Sequence, residues 1–300
     1  MALLEQSINS DTFMDAVSLR VGDLEGMTSY YSSILSVEPM EEKVHGKEVH
    51  RVLGRNGTPL LRLISTPGLP AVDPRQAGLY HTAFLFDTQE SLAATVYRAV
   101  QESRSRFVGS SDHLVSEAFY FPDPEGNGIE LYVDRPRSAW KYADNGDVRM
   151  DTIYLDPNQY LQSHLSETVL NNTAILPASI GHVHLQVGNL ERARQFYVDK
   201  IGFDATTSVP NALFASAGGY HHHVAMNTWN SAGAGPRAAT LGLADVAVIV
   251  PVREDLDMLV SRLKGAEFFD NGTSVVTRDP WGTHITVSLP GVSTDELLNR

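Results

Sequence analysis

The chain has 300 residues, no cysteine, and 36 acidic against 23 basic side chains, for a formal net charge of −13. At roughly 150 residues per domain the length suggests two domains, and 42% hydrophobic against 20% charged residues supplies packed cores rather than disorder. The lack of cysteine excludes disulfide scaffolds, thiolate zinc sites, iron–sulfur clusters and a cysteine nucleophile, and the acidic balance argues against nucleic acid and anionic membrane as partners.

The first residues, MALLEQSINSD, have neither a basic start nor a long apolar stretch, so no signal peptide is expected. No apolar run approaches the ~20 residues of a membrane-spanning helix. The expectation is a soluble, cytoplasmic protein. From Val17, VSLRVGDLEGMTSYYSSILSV reads as an alternating strand, a turn and an amphipathic helix. From Val183, VHLQVGNLERARQFYVDKIGF repeats it: Val21, Leu24, Tyr30, Tyr31 and Leu35 fall on Val187, Leu190, Phe196, Tyr197 and Ile201. A weaker match relates HTAFLFDTQESLAATVYRAV, from His81, to DVAVIVPVREDLDMLVSRLK, from Asp245. Each half then closes on strands with a matched turn. It is Asp123-Pro124-Glu125-Gly126 before GIELYV, and Asp279-Pro280-Trp281-Gly282 before HITVSL. Proline fixes φ in such a turn and glycine accepts a positive φ.

Four modules follow, over roughly 13–66, 79–135, 180–229 and 241–290, each a strand, a helix and several strands. The stretch 137–178 between the halves has one short helical candidate near residues 160–170. It exceeds an ordinary loop, which predicts that it packs against something. The expected organisation is an N-terminal pair of βαβββ modules (1–136), a linker (137–178) and a C-terminal pair (179–300). There is no GxGxxG, Walker loop, GxSxG or HExxH. The fold class is therefore α+β, with four βαβββ modules paired into curved half-barrel sheets and helices outside. Such a sheet encloses a cavity for a small ligand.

Four constellations carry candidate chemistry. His81 opens the apolar strand of the second module, where a strand-end histidine with satisfied hydrogen bonds is an equal reading. In Gly128-Ile129-Glu130-Leu131-Tyr132-Val133, alternation sets Glu130 and Tyr132 opposite the apolar residues. A carboxylate there is costly unless paired, metal-bound or on a solvated face. The matching residue of the last module is Thr286, so the repeat itself does not demand an acid. His182 and His184 share one face of a strand, and their counterparts are Ala16 and Ser18. In Gly219-Tyr220-His221-His222-His223-Val224-Ala225, a strand would point His222 away from His221 and His223. The run is thus expected to be a poor metal tract. Two histidines and a carboxylate on separate strands are the ingredients of a facial triad on non-haem Fe(II), and spacing alone does not say which residues form it.

The repeated modules, together with GLYHTAFLF, DHLVSEAFYFPDPEGNGIELYVDRPRS, IGHVHLQV and SAGGYHHHVAMNTW, resemble the vicinal oxygen chelate superfamily of glyoxalase I, bleomycin-resistance proteins and extradiol dioxygenases. The likeness spans nearly the whole chain and is to the bacterial catechol-2,3-dioxygenase-like branch. It implies metal ligands at His81, Glu130 and His182, because Ala16, Asp245 and Thr286 stand at the corresponding positions of the other modules. The ion would then lie between the middle modules, whereas better-known extradiol enzymes use the last two. The family's H-x-x-A pattern matches His222-His223-Val224-Ala225 and makes His222 the acid/base candidate. Tyr120 and His113 correspond to the family's substrate-binding tyrosine and loop histidine.

The resemblance implies an extradiol (meta-cleaving) dioxygenase of aromatic hydrocarbon catabolism, acting with O2 on a catechol-like diol at Fe(II). Mn(II) can replace iron, since the donor set does not choose sharply between them. The implied partners are the diol and O2, with a homo-oligomer compatible and no nucleic acid or membrane. Two other readings compete. One is a glyoxalase-like metal-dependent isomerase or lyase, which would want a second carboxylate near Thr286 or His223. The other is a non-enzymatic protein that binds small aromatic compounds.

Overall fold

In the computed structural model, which describes residues 7–171, 178–291 and 297–299, each repeat forms a strand, a helix and further strands. Residues 1–6 of the N-terminal stretch and 172–177 of the expected linker lie outside the described residues. The local reasons are those of the sequence. The helix Leu24–Leu35 starts where the Asp23 side chain accepts from the Gly26 amide. Thr88 does the same for Gln89–Gln101, and Asn189 for the turn beginning at Leu190. In the third module the helix widens into π-type winding over Gln195–Ile201. The two Asp-Pro-x-Gly turns form as expected. Gly126 and Gly282 have φ of 91° and 89°, and Asp123 and Asp279 each accept two backbone amides of their own turn.

Among the described residues the strands form two nine-stranded sheets. One joins the first module to the fourth through antiparallel pairing of Val17–Val21 with Gly242–Ile249. The other joins the second to the third through Gly78–Phe86 and Ala178–Gln186. The sheets therefore cut across the two halves of the chain. One face of each sheet meets the helices in a continuous core that includes Tyr31, Phe84, Leu131, Val183, Tyr197 and Val246. Burying each such side chain contributes ~1.5–3 kcal/mol.

The opposite faces differ. On the middle sheet Ala83, Ala118 and Tyr132 form a small cluster beside Leu85 and Tyr120. On the outer sheet Ala16 and Val52 pack on Leu297 and Leu298, both fully buried, and Arg62 Nη1 donates to the Leu297 carbonyl at 2.8 Å. The chain's own C-terminal residues thus fill that concavity.

The described part of the segment between the halves carries a strand and two helices. Ile153–Tyr154 adds to the edge of the middle sheet by pairing with Gly109–Asp112. The helices Pro157–His164 and Glu167–Asn171 take the place of the helical candidate. The buried Tyr160 ring meets Phe119 at 4.9 Å. Met150, Asp151 and Thr152 reach the cavity of the middle sheet.

Candidate metal centre

Strand register assembles the site. On the middle sheet Ala83 is the partner of Glu130 in one neighbouring strand and of His182 in the other. Tyr120 is the partner of Glu130 in turn. Tyr120, Glu130, Ala83 and His182 therefore lie in one row across four strands, with His81 two residues from Ala83 on the same face. The small Ala83 side chain leaves room above the row. Gly181 also serves it, since a Cβ there would lie 1.7 Å from the Tyr132 hydroxyl.

One ligand atom from each of His81, Glu130 and His182 lies within 4.8 Å of the others, and all three residues are buried. His81 Nε2 is 2.8 Å from Glu130 Oε2, and His182 Nε2 is 3.3 Å from the same oxygen. The His81 contact has the distance of an ion pair but not the alignment of a hydrogen bond, so this buried nitrogen is left without a hydrogen bond. An orphaned buried donor atom is costly. Two imidazole nitrogens and a carboxylate oxygen around one point are a donor set that a divalent transition ion satisfies. The residues fit such an ion.

Electrostatics favour the same state. Burial pushes the Glu130 carboxyl up, but the facing imidazoles of His182 and His81 outweigh it and hold the group well below the usual carboxylate range. Burial lowers His182 to about 4 against the opposing pull of Glu130. A neutral imidazole and an ionised carboxylate are the forms that ligate metal.

A cavity of about 660 Å³ opens on this row. His81, Glu130, Tyr120, His113, His184 and His222 line it, with Tyr80, Phe214 and Trp229 supplying an aromatic wall. His182 does not reach the cavity and lies behind its wall. His113 Nε2 is 2.6 Å from the Tyr120 hydroxyl, and its Nδ1 meets the Asp151 carbonyl at 2.7 Å. Burial, then the charge of Glu130, raises the Tyr120 hydroxyl well above its ordinary value. His184 faces the cavity beside His81, but Asn227 Nδ2 donates to its Nε2 at 2.9 Å. It does not join the triad.

The histidine run departs from expectation. Divergence of neighbouring rings assumed an extended strand. The backbone instead turns through Gly218 and Gly219 at φ 59° and 66°, and the strand begins only at Val224. The rings of His221 and His222 therefore lie together, Nδ1 to Nδ1 at 2.7 Å. His222 packs on His182 with ring centroids 4.0 Å apart. His223 turns into the core, where its Nδ1 accepts from the Ala217 amide at 3.1 Å. Sequence reasoning did not single out Asp134, whose Oδ1 lies 2.9 Å from His221 Nε2, nor Trp229. Both lie within the stretches that carry the resemblance, without a role assigned to either.

Among the described residues, the corresponding places on the outer sheet hold no triad. Thr286 Oγ1 donates to Asp245 Oδ1 at 2.8 Å, and Arg62 Nε donates to Ser18 Oγ at 2.8 Å.

Comparison with known proteins agrees with this architecture. The Glyoxalase/Bleomycin resistance protein/Dioxygenase superfamily matches residues 13–131 and again 179–295. The catechol-2,3-dioxygenase of Bacillus subtilis (strain 168) is 34% identical over 290 residues, which cover 93% of this chain and 98% of that protein. Biphenyl-2,3-diol 1,2-dioxygenase 3 of Rhodococcus globerulus is 29% identical over 146 residues, 45% of this chain and 72% of that one. Among solved structures, glyoxalase I from Zea mays has a TM-score of 0.58 at 15% identity. That match covers 96% of this chain and 95% of that chain, and it speaks to the fold alone. No helix among the described residues is long and apolar enough to cross a membrane.

Proposed function

The chain belongs to the glyoxalase/bleomycin resistance/dioxygenase superfamily, and from that premise we propose that it is an extradiol ring-cleaving dioxygenase of aromatic catabolism. Its substrates are a catechol-like diol and O2, and its resident ion is Fe(II), replaceable by Mn(II), on His81, Glu130 and His182. The observation that carries the reading is the convergence of these three buried donors beside an aromatic-walled cavity that His81 and Glu130 line. The dioxygenase relative at 34% identity supports the oxidoreductase class.

Held by His81, Glu130 and His182, the ion would supply the Lewis-acid and redox chemistry that brings diol and O2 together. The protein's groups do the rest. His222 lines the cavity wall and is the group placed to take a hydroxyl proton from the diol; burial lowers its pKa well below the usual imidazole range, which keeps the free ring neutral but makes it a weaker base. It returns that proton to an oxygen of the opening ring. The Tyr120–His113 pair hydrogen-bonds a substrate oxygen and steadies its charge. Tyr80, Phe214 and Trp229 hold the ring and exclude water.

The test is anaerobic reconstitution with Fe(II), followed by catechol and air. The expected result is the yellow ring-opened product, abolished in His182→Ala. Colour that is indifferent to metal, or turnover of methylglyoxal and glutathione instead, would overturn the reading.

A further inference from the structure

Behind His222 runs a chain of hydrogen bonds that ends on a carboxylate. His222 Nδ1 is 2.7 Å from His221 Nδ1, and His221 Nε2 is 2.9 Å from Asp134 Oδ1. On the far side Tyr220 donates to Asp134 Oδ2 at 2.8 Å, and the Tyr132 hydroxyl lies 2.8 Å from that of Tyr220. His221 is fully buried, and Asp134 ends the strand that carries Glu130.

We propose that Asp134 and His221 are positioning residues that fix the tautomer of His222, leaving its Nε2 unprotonated toward the cavity. This rests on the dioxygenase reading only for the use made of that nitrogen. The argument is one of donors and acceptors. An ionised Asp134 can only accept, so His221 keeps a proton on Nε2. A neutral His221 then offers a lone pair at Nδ1, and the proton between the two Nδ1 atoms belongs to His222. His222 is left with a bare Nε2, the form a general base needs. Tyr220 has one hydroxyl proton and gives it to Asp134, so it accepts from Tyr132. Every donor in the chain thus points toward Asp134 and none competes.

His182, His221 and His222 also offer three nitrogens within 4.8 Å of one another. A second metal is a poorer account of them. Two nitrogens ~2.0–2.1 Å from one tetrahedral ion are about 3.3 Å apart, whereas the Nδ1 atoms of His221 and His222 lie 2.7 Å apart.

The test reads the ring nitrogens directly. Metal-free, 15N-labelled protein is examined by long-range 1H–15N correlation, with the His222 signals assigned by their loss in His222→Gln. The expected result is a single Nδ1–H tautomer for His222. In His221→Phe it becomes a mixture, and in Asp134→Asn, which keeps the size and fold of the site, the single form is also lost. A wild-type His222 protonated at Nε2, or a tautomer unchanged in both folded variants, would overturn the proposal. With Fe(II) restored, His221→Phe is expected to lower kcat by about 10- to 100-fold with little change in KM. If wild type shows no ring cleavage but the tautomer holds, the dioxygenase reading falls and the positioning chain stands.

Discussion

The Tyr31 hydroxyl donates to Asp123 Oδ2 at 2.8 Å, and both groups are buried. Tyr31 belongs to the helix of the first module and Asp123 to the turn of the second, so the bond ties one sheet to the other. Tyr197 and Asp279 make the corresponding bond between the third and fourth modules at 3.1 Å. Tyr31→Phe leaves a buried carboxylate one donor short and is expected to cost about 1–3 kcal/mol. Tyr197→Phe should cost a similar amount, and the double variant should show near-additive loss in urea unfolding.

Glu130→Gln keeps the shape of the triad and removes its only negative charge. Affinity for Fe(II) should fall by more than the ~10- to 100-fold that loss of an outer-shell partner costs, measured as metal retained after anaerobic dialysis. Wild type should gain thermal stability on metal addition, by ~2.7 kcal/mol at a free concentration one hundred times Kd. The variant at the same concentration should gain little.

The metal-free protein should lose stability as pH falls below about 6.5. Burial depresses His182 to about 4 and His223 to about 3, and lowers His184 and His222 as well. In that window the unfolded chain binds protons that the folded rings refuse, so stability is full above the unfolded value and drains toward the folded one. The loss at pH 5 is roughly 2 kcal/mol for each ring that stays neutral. Asp123 and Asp279 work the other way, because burial raises both. Their stabilisation grows as acid protonates them and lies nearer the carboxylate range. Urea midpoints at pH 7.5, 6 and 5 in chelator check the sign.

Leu298→Ala should cost about 2–5 kcal/mol by opening a void in the outer sheet. The concavity it fills is not the one that holds His81, Glu130 and His182. Activity per folded molecule should therefore be unchanged while the melting temperature drops. A loss of turnover without a loss of stability would contradict the separation of the two sheets.

The repeats were legible because the strand–turn–helix pattern and the Asp-Pro-x-Gly turns impose local chemistry twice. Glu130 stood out because an acid in an apolar strand is costly, and the geometry brings it together with His81 and His182. Which modules would share a sheet was not legible from strand pattern, although the implied ligand set pointed to the middle two. Pairing of Val17–Val21 with Gly242–Ile249 leaves no local signature, since any apolar strand offers the same backbone groups. The link from Asp134 to His221 was hidden for another reason. It depends on two left-handed glycines that cancel the alternation a strand would impose. The burial of Leu297 and Leu298 had no periodic context to announce it.

The sheet arrangement also dictates an order of events during synthesis. Every strand of the middle sheet lies between Gly78 and Asn227, so that sheet has all its parts before the fourth module leaves the ribosome. The first module is made earliest, yet Val17–Val21 must wait for Gly242–Ile249. The nascent chain can finish the sheet that carries His81, Glu130 and His182 while Val17–Val21 still shows an open edge.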